Sequence, residues 1–163
     1  MATPTDIERI SYGGPTGSLQ LGRHRHVIQS VGATRTLLAK ESGAICLFDR
    51  AAGNVYTLPT PVEGMKFEFL ATVAVTSNAY KVITASITTE FLLGAVRSTK
   101  LAAGMDTFQA DGTSSHVAIS MDGVTKGGLI GTTFTLTAIS TTQWVIEGSL
   151  VGFGTLADPF AAS

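Results

Sequence analysis

The stretch "KFEFLATV" at residues 66–73 sets the pattern of the whole chain, because apolar and charged residues alternate along its first half. In an extended strand, Phe67 and Phe69 fall on one face, and Lys66 and Glu68 fall on the other. Such alternation is typical of a strand with one face in a core and one face toward solvent. The stretch therefore predicts a half-buried β-strand whose two phenylalanines pack inward.

The same period-two pattern recurs along most of the chain, with turn residues roughly every eight to twelve positions. Helical periodicity is nearly absent. We therefore expect an all-β fold: a single β-sandwich or jelly-roll-like domain of about 8–10 strands at residues 36–163. Residues 1–35 lack a sustained period and are expected to form an extended N-terminal arm. A jelly roll, an immunoglobulin-like sandwich and a trimeric β-tulip all fit the pattern. The expected inward residues of the later strands are Tyr80, Val82, Phe134, Leu136, Ala138, Trp144 and Ile146.

Some local features carry their own expectations. Asp122-Gly123 is a strong two-residue hairpin signal, because both turn positions need a positive φ. Residues 97–113 show no clear alternation and are expected to form a loop. The chain contains a weak internal repeat, which we call the internal echo: Gly64, Phe67 and Ala71 recur with the same spacing as Gly131, Phe134 and Ala138. The internal echo suggests two similar hairpins in one sandwich.

Composition narrows the function classes. The 163 residues fit one domain, and 14% of them are charged, against roughly 25% in an average soluble protein. A surface so poor in charge is expected to be covered in large part by other protein chains. The net charge of −1 gives no general attraction to polyanions. Cys46 is the only cysteine, so an internal disulfide is excluded. We expect Cys46 to be a small core residue.

No segment predicts a membrane or secretory role. The start "MATPTDIERI" carries acids early and no apolar run, so it is not a secretory signal, and synthesis in a cytoplasm is expected. Residues 127–146 are uncharged, yet about half of them are polar and apolar residues alternate with polar ones. This segment predicts a β-hairpin instead of a membrane span.

No catalytic motif appears in the sequence. Nucleophile elbows, zinc-protease helices, phosphate-binding loops and calcium-binding loops are all missing from it. The expectation is that the protein is not an enzyme and has no catalytic, cofactor-binding or metal-binding residues.

The cluster "RHRH" at Arg23, His24, Arg25 and His26 is the one dense group of basic side chains. Two imidazoles would leave a tetrahedral zinc site half filled, and the arginines would repel a cation. Binding of nucleic acid would need a larger basic surface interleaved with aromatic residues. A solvated bend in the arm and a contact with an acidic partner protein remain as interpretations, and we predict a partner interface at these four residues.

Two longer stretches resemble the small head decoration, or cement, proteins of tailed phages. They run from Gly43 to Val96 and from His116 to Phe160, about two thirds of the chain. The most specific element is "FDRAAG", "TLP" and the following Pro, Gly and Phe residues between Phe48 and Phe69. The ending "QWVIEG" at Gln143 to Gly148 is the second.

The resemblance implies a compact β-domain on the capsid exterior of a virion, made in the host cytoplasm. It implies two partners, the major capsid protein and further copies of the chain in a homo-oligomer, a trimer, and it implies no nucleic acid and no membrane. The implied function is to bind the outer surface of the capsid and to stabilise contacts between capsid subunits. The alternatives are a tail-fibre or receptor-binding module of the same virion and a host-encoded β-sandwich that binds ligands or catalyses a reaction.

Overall fold

Two mixed β-sheets face each other in the computed structural model, which describes residues 25–30 and 32–163. This confirms the expected all-β sandwich. Twelve strands lie within the described residues, and the three shortest, of two or three residues each, account for the excess over the expected number. The strands are β1 (Val27–Ile28), β2 (Thr34–Thr36), β3 (Ile45–Phe48), β4 (Asn54–Thr57), β5 (Lys66–Ala71), β6 (Tyr80–Ile83), β7 (Phe91–Lys100), β8 (Met105–Asp111), β9 (Ala118–Met121), β10 (Thr133–Ala138), β11 (Gln143–Gly152) and β12 (Phe160–Ala161). One 3₁₀ turn covers Ala39–Glu41.

The first six strands form a parallel coil. The seven-stranded sheet has the order β1-β3-β5-β10-β11-β7-β8, and the five-stranded sheet has the order β12-β9-β6-β4-β2. The chain alternates between the sheets from β1 to β6, so each strand pairs in parallel with the strand two places along. A parallel pair needs a long crossover, and here each crossover is a strand of the opposite sheet. The parallel pairs distinguish this topology from antiparallel sandwiches such as the immunoglobulin fold.

Successive turns of the coil stack on each other. The amide of Thr76 donates to the carbonyl of Ala51 (2.8 Å), and the side-chain amide of Asn78 donates to the carbonyl of Ala52 (2.9 Å). Gly53 lies in the same turn with φ +78°, and a Cβ there would lie 2.6 Å from the carbonyl oxygen of Ala79. The close stacking of these turns therefore requires glycine at this position.

The later strands extend both sheets mainly by antiparallel pairing. β10 pairs with β5 and β11, whereas β9 pairs with β6 and β12. β10 and β11 form the hairpin expected from residues 127–146. β7 lies parallel to β11 over ten residue pairs, and β8 folds back beside β7 as the last strand of the seven-stranded sheet.

Aromatic rings fill the space between the sheets. Phe48 of β3 stacks on Tyr80 of the facing sheet with ring centroids 4.6 Å apart, and Phe69 stacks on Phe134 at 5.1 Å. Both tyrosines that face this core direct their hydroxyl groups to backbone carbonyls: Tyr56 to Leu47 at 2.8 Å and Tyr80 to Val73 at 3.0 Å. All inward residues expected from the alternation are buried, and so is Cys46.

The hairpin expected at Asp122-Gly123 is wrong. β9 ends at Met121, and the next strand, β10, belongs to the other sheet. The Asp122 carboxylate instead accepts bonds from the amides of Val124 (2.8 Å) and Lys126 (2.9 Å), which shape a wide crossover. Gly123 has the expected positive φ of 78°, whereas Asp122 has no positive φ, so only half of the expected turn conformation is present and the expected pairing is absent.

The loop expected at residues 97–113 is also wrong, since this segment completes β7 and contains β8. Most side chains of β8 are exposed, and Ala110 is its one fully buried side chain. A strand with little buried surface carries no apolar alternation, so the sequence pattern does not report it.

The boundary expected at residue 35 lies too far along the chain. β1 and the first two residues of β2 fall within the range assigned to the arm, yet these strands pair with β3 and β4 as the first turn of the coil. These strands have only two and three residues, too few to show a period. The rest of the expected arm, residues 1–24, lies outside the described residues.

The internal echo reflects a local two-fold relation between neighbouring strands. β5 and β10 are antiparallel, and Phe69 opposes Phe134. The amide of Gly64 donates to Ala138 (2.9 Å), and the amide of Gly131 donates reciprocally to Ala71 (3.0 Å). The expectation of two similar hairpins is wrong in part, because β10 enters a hairpin but β5 leads to the opposite sheet.

The aromatic core generates the first testable prediction. We expect Phe69→Ala to lower the free energy of unfolding by about 3–5 kcal/mol, because it removes a fully buried ring between two others. Phe153→Ala is the matched control, since Phe153 is 58% exposed, and we expect a change within about 0.5 kcal/mol. Urea unfolding of both variants checks this. Equal losses for the two would contradict the assignment of the core.

Candidate protein-binding surfaces

Arg25 is bonded within the chain. Its Nε donates to the carbonyl of Gly43 (2.9 Å), Nη2 lies 3.4 Å from the carbonyl of Ala44, and Nη1 pairs with the carboxylate of Glu68. The side chain thereby ties the start of β1 across β3 to β5. Its exposed fraction of 39% shows that part of the guanidinium still faces solvent.

The other residues of the predicted basic cluster are only partly described. His26 is exposed and its carbonyl accepts the amide of Ile45 at 2.9 Å, whereas Arg23 and His24 lie outside the described residues. Arg25 and His26 border a depression of about 630 Å³ together with Lys40. The structure thus places two of the four residues on one open surface, and the predicted partner contact there stays a prediction.

The outer face of the seven-stranded sheet is broad and rich in hydroxyl groups. Thr133, Thr135 and Thr137 form a half-buried row along β10, pointing away from the core. Leu70 of β5 and Val145 of β11 are half-buried on the flanking strands. Thr135 lies between Glu68 and Glu147, and Thr137 lies beside Lys66, so the face also carries charges of both signs. Threonine hydroxyls both donate and accept hydrogen bonds, so this face can bond to the polar groups of another protein.

A shallow groove of about 440 Å³ crosses the same face between β11, β7 and β8. Gly148 and Ser149 of β11 line one side of it. Ala95 lines the floor beside it, while Arg97 and Glu147 supply one charge of each sign. The groove is therefore polar at its margins and close to neutral overall.

Large apolar side chains gather where β7 and β11 end. The amide of Leu101 donates to the carbonyl of Gly152 (3.2 Å), and the amide of Phe153 donates to the carbonyl of Val124 (2.6 Å). These bonds hold three loops together. Leu101 is 69% exposed, Phe153 is 58% exposed and Val124 is 47% exposed.

Two more apolar side chains extend this surface. Ile130 is 64% exposed and follows Leu129, whose amide donates to Val151 (3.2 Å). Met105 is 58% exposed and pairs with Thr99, just across the turn from Leu101. We call Leu101, Met105, Val124, Ile130 and Phe153 the apolar end. Large apolar side chains that are exposed on neighbouring segments are candidates for an interaction site in a protein.

An Asp-His pair orders the loop after β8. The carboxylate of Asp111 lies 2.6 Å from Nδ1 of His116 and accepts both the amide (3.1 Å) and the hydroxyl (2.7 Å) of Thr113. The Thr113 hydroxyl and His116 hold the pKa of Asp111 at about 2, well below its usual range. The imidazole also packs edge-on against Phe160 of β12 (5.6 Å). The pair thus connects the seven-stranded sheet to the last strand of the other sheet.

Burial raises the pKa of three further groups, those of Cys46, Tyr56 and Glu90. Burial raises the pKa of the Cys46 thiol to about 12 and that of Tyr56 to about 12. Burial also raises the pKa of Glu90, whose carboxylate accepts the amides of Ala85 (3.0 Å) and Ser86 (3.3 Å). A thiol held protonated is a poor nucleophile, and these groups act in the structure as packing and loop-ordering residues.

Within the described ranges, no three His, Cys, Asp or Glu side chains come together in a way that could hold a metal ion. Among those same residues, no helix is long and apolar enough to cross a bilayer.

Comparison with known proteins adds no relative: no family model, curated protein or solved structure matches this chain. The function is therefore inferred from the surfaces of the molecule alone. Sequence reasoning missed the apolar end, because its members come from three segments that are far apart in the sequence: the β7–β8 turn, the β9–β10 crossover and the residues after β11. The only available signal was the presence of large apolar residues beside glycines in segments without alternation.

The Asp-His pair generates a pH-dependent prediction. The pKa of Asp111 is lower in the folded chain (about 2) than in an unfolded one (about 3.9). Its stabilising contribution is therefore present above about pH 4 and is lost as the pH falls through about 2. We expect Asp111→Asn to lower the melting temperature at pH 6 and to have no effect at the acid limit.

Thermal unfolding followed by circular dichroism at a series of pH values measures this difference. Asp106→Asn is the control, because Asp106 is exposed on the same strand and its carboxylate has no hydrogen bond among the described residues. A deficit for Asp111→Asn that is independent of pH would contradict the prediction.

Proposed function

We propose that the protein is a structural component of a phage virion that binds the outer surface of the capsid and stabilises contacts between major capsid protein subunits. It has no catalytic role in this proposal, and its work is mechanical. It acts as a homo-oligomer, for which the resemblance implies a trimer. It is made in the host cytoplasm and resides on the capsid exterior.

The observation that carries the proposal is the apolar end. Its five large side chains are each between 47% and 69% exposed, and they stand together at one end of the sandwich. Leaving so much apolar surface in water is unfavourable by about 25 cal/mol per Å². A partner protein that covers it gains that free energy, and a capsid lattice offers such a partner at every repeated position.

The outer face of the seven-stranded sheet supports the same proposal. Its threonine row and flanking aliphatic side chains provide a second contact surface, whose hydroxyl groups can hydrogen-bond to a partner. An oligomer that uses several such surfaces at once gains effective concentration with each contact. Individually modest contacts then suffice for firm attachment to an assembled shell.

The basic cluster has a secondary place in the proposal. Arg23 and Arg25 are the predicted donors to carboxylates on the capsid surface. Since Arg25 already pairs with Glu68, a capsid carboxylate would have to share its guanidinium or replace that internal bond. We therefore expect the apolar end to contribute more to attachment than Arg25 does.

Location in the virion tests the function directly. We expect immunogold electron microscopy with an antibody against the purified protein to label phage heads densely and evenly, because decoration needs many copies. The virions for this experiment are prepared from the source of the protein. Label confined to tail tips would favour the receptor-binding alternative, and unlabelled particles would contradict a virion role.

The apolar end is tested by binding to capsids stripped of the protein. We expect the double variant Leu101→Ser, Phe153→Ser to bind at least about tenfold more weakly than the wild type, because central apolar anchors dominate interface energies. The control is Val62→Ser, Ile87→Ser, which changes residues 56% and 48% exposed in loops at the opposite end. Cosedimentation measures the bound fraction of each, and equal binding by both double variants would remove the apolar end from the interface.

A further inference from the structure

Among the described residues, the edge strands of the two sheets differ in length. β1 has two residues, β2 has three and β12 has two, so three of the four edges are short. β8 is the exception, since it presents seven residues as the last strand of its sheet. Natural sheets protect their edges with short strands, prolines or lysines. β8 is long and has no proline or lysine, and its charged side chains are Asp106 and Asp111.

The outward backbone groups of β8 follow from its pairing with β7. The amide of Lys100 donates to Gly104 (3.0 Å), and the amide of Gly112 donates to Leu92 (2.9 Å). In an antiparallel ladder such bonded pairs alternate with pairs whose backbone groups point away. Met105, Thr107 and Gln109 therefore direct their N–H and C=O groups to the free edge.

These outward groups have no partner among residues 25–30 and 32–163. The next outward amide, that of Asp111, is covered by the imidazole of His116, whose Nδ1 lies 3.2 Å from it. The pairing-competent edge therefore extends from Met105 to Gln109 and is closed beyond it by the Asp-His pair. A strand added here has three donors and three acceptors available to it.

We infer that this edge pairs with the same edge of a second copy, antiparallel and about a two-fold axis at Thr107. In this register Met105 faces Gln109 of the second copy and Thr107 faces Thr107. All outward groups of Met105–Gln109 are then bonded, and Asp111 is not required. The two seven-stranded sheets join into one continuous sheet.

The charges of β8 favour this occupant and this register. Asp106 opposes Phe108 of the second copy, so no two carboxylates face each other across the axis. A strand of another sequence would have no reason to match these positions, whereas a second copy matches them by symmetry.

The contact does not rest on the proposed function. It predicts a two-fold pair, in contrast with the trimer implied by the resemblance.

Disulfide trapping tests the register. We expect Thr107→Cys to crosslink into a dimer under mild oxidation, because paired Cα atoms at a bonded antiparallel position lie about 5.5 Å apart, within the range a disulfide spans. Gln109→Cys is the matched control on the same face and strand. Its own symmetry mate would lie about 13 Å away along the strand, so it should remain uncrosslinked. The native Cys46 is fully buried and does not compete.

Sedimentation equilibrium of the full chain tests the contact without a crosslink. We expect the wild type to approach twice its chain mass of 16.9 kDa with rising concentration. Thr107→Glu should weaken the pair at least about tenfold, because two carboxylates would meet at the axis. The same change places a carboxylate opposite Arg97 on β7, so folding should be unimpaired. Thr99→Glu, on the neighbouring strand, should leave the pair intact.

Selective crosslinking by Thr107→Cys together with weakening by Thr107→Glu alone would support the inference. Equal crosslinking by both cysteine variants, absence of any crosslink, or a wild-type trimer unchanged by Thr107→Glu would overturn it. None of these outcomes depends on capsids, so failure of this contact is distinguishable from failure of the proposed function.

Discussion

The contact between Phe48 and Tyr80 is the interaction on which the sandwich depends. Phe48 belongs to the seven-stranded sheet and Tyr80 to the five-stranded sheet, and their rings stack with centroids 4.6 Å apart. Phe69 and Tyr56 pack against Phe48 at 5.9 Å and 5.5 Å. Tyr56 then donates its hydroxyl to Leu47 of the opposite sheet, and Tyr80 donates its hydroxyl to Val73, just beyond the end of β5. Apolar stacking and hydroxyl bonds thus act together, and the separation and alignment of the two sheets follow from one aromatic cluster.

The parallel coil follows from the same cluster. Each turn of the coil contributes inward residues alternately to the two sides of the core, so a strand of one sheet and the next strand of the other are buried together. The first turn of the coil is short, and it is tied down by Arg25. The chain then adds β7 and β8 at the far side of the sheet. The facing sheet has only five strands, so it covers less of the seven-stranded sheet on this side. Most residues of β8 are accordingly exposed.

The surfaces left by this architecture are unlike those of a typical monomer. Ion pairs are few among the described residues, and the two between arginine and glutamate serve to fasten the first turn of the coil. The outer sheet face combines hydroxyl groups with charges of both signs, one end is apolar, and the β8 edge is unpaired among the described residues. A chain with these features gains stability from contact with other protein chains in three separate directions. Attachment to a repetitive protein lattice and association between copies draw on different parts of the molecule, so the two do not compete for the same residues except at Met105.

The sequence by itself determined which residues face inward, because period-two alternation is a local property of a strand half in water. It therefore predicted the fold class, the burial of Phe67, Phe69 and Trp144, and the hairpin of β10 with β11. It also located the charge at Arg25, but not its partner Glu68, which lies 43 positions away. Strand pairing, the coil, the apolar end and the β8 edge were decided by tertiary structure alone. The reason is physical: alternation says which face of a strand is buried, whereas backbone hydrogen bonds are the same for every residue and take their partners from whichever strands the packed core brings together.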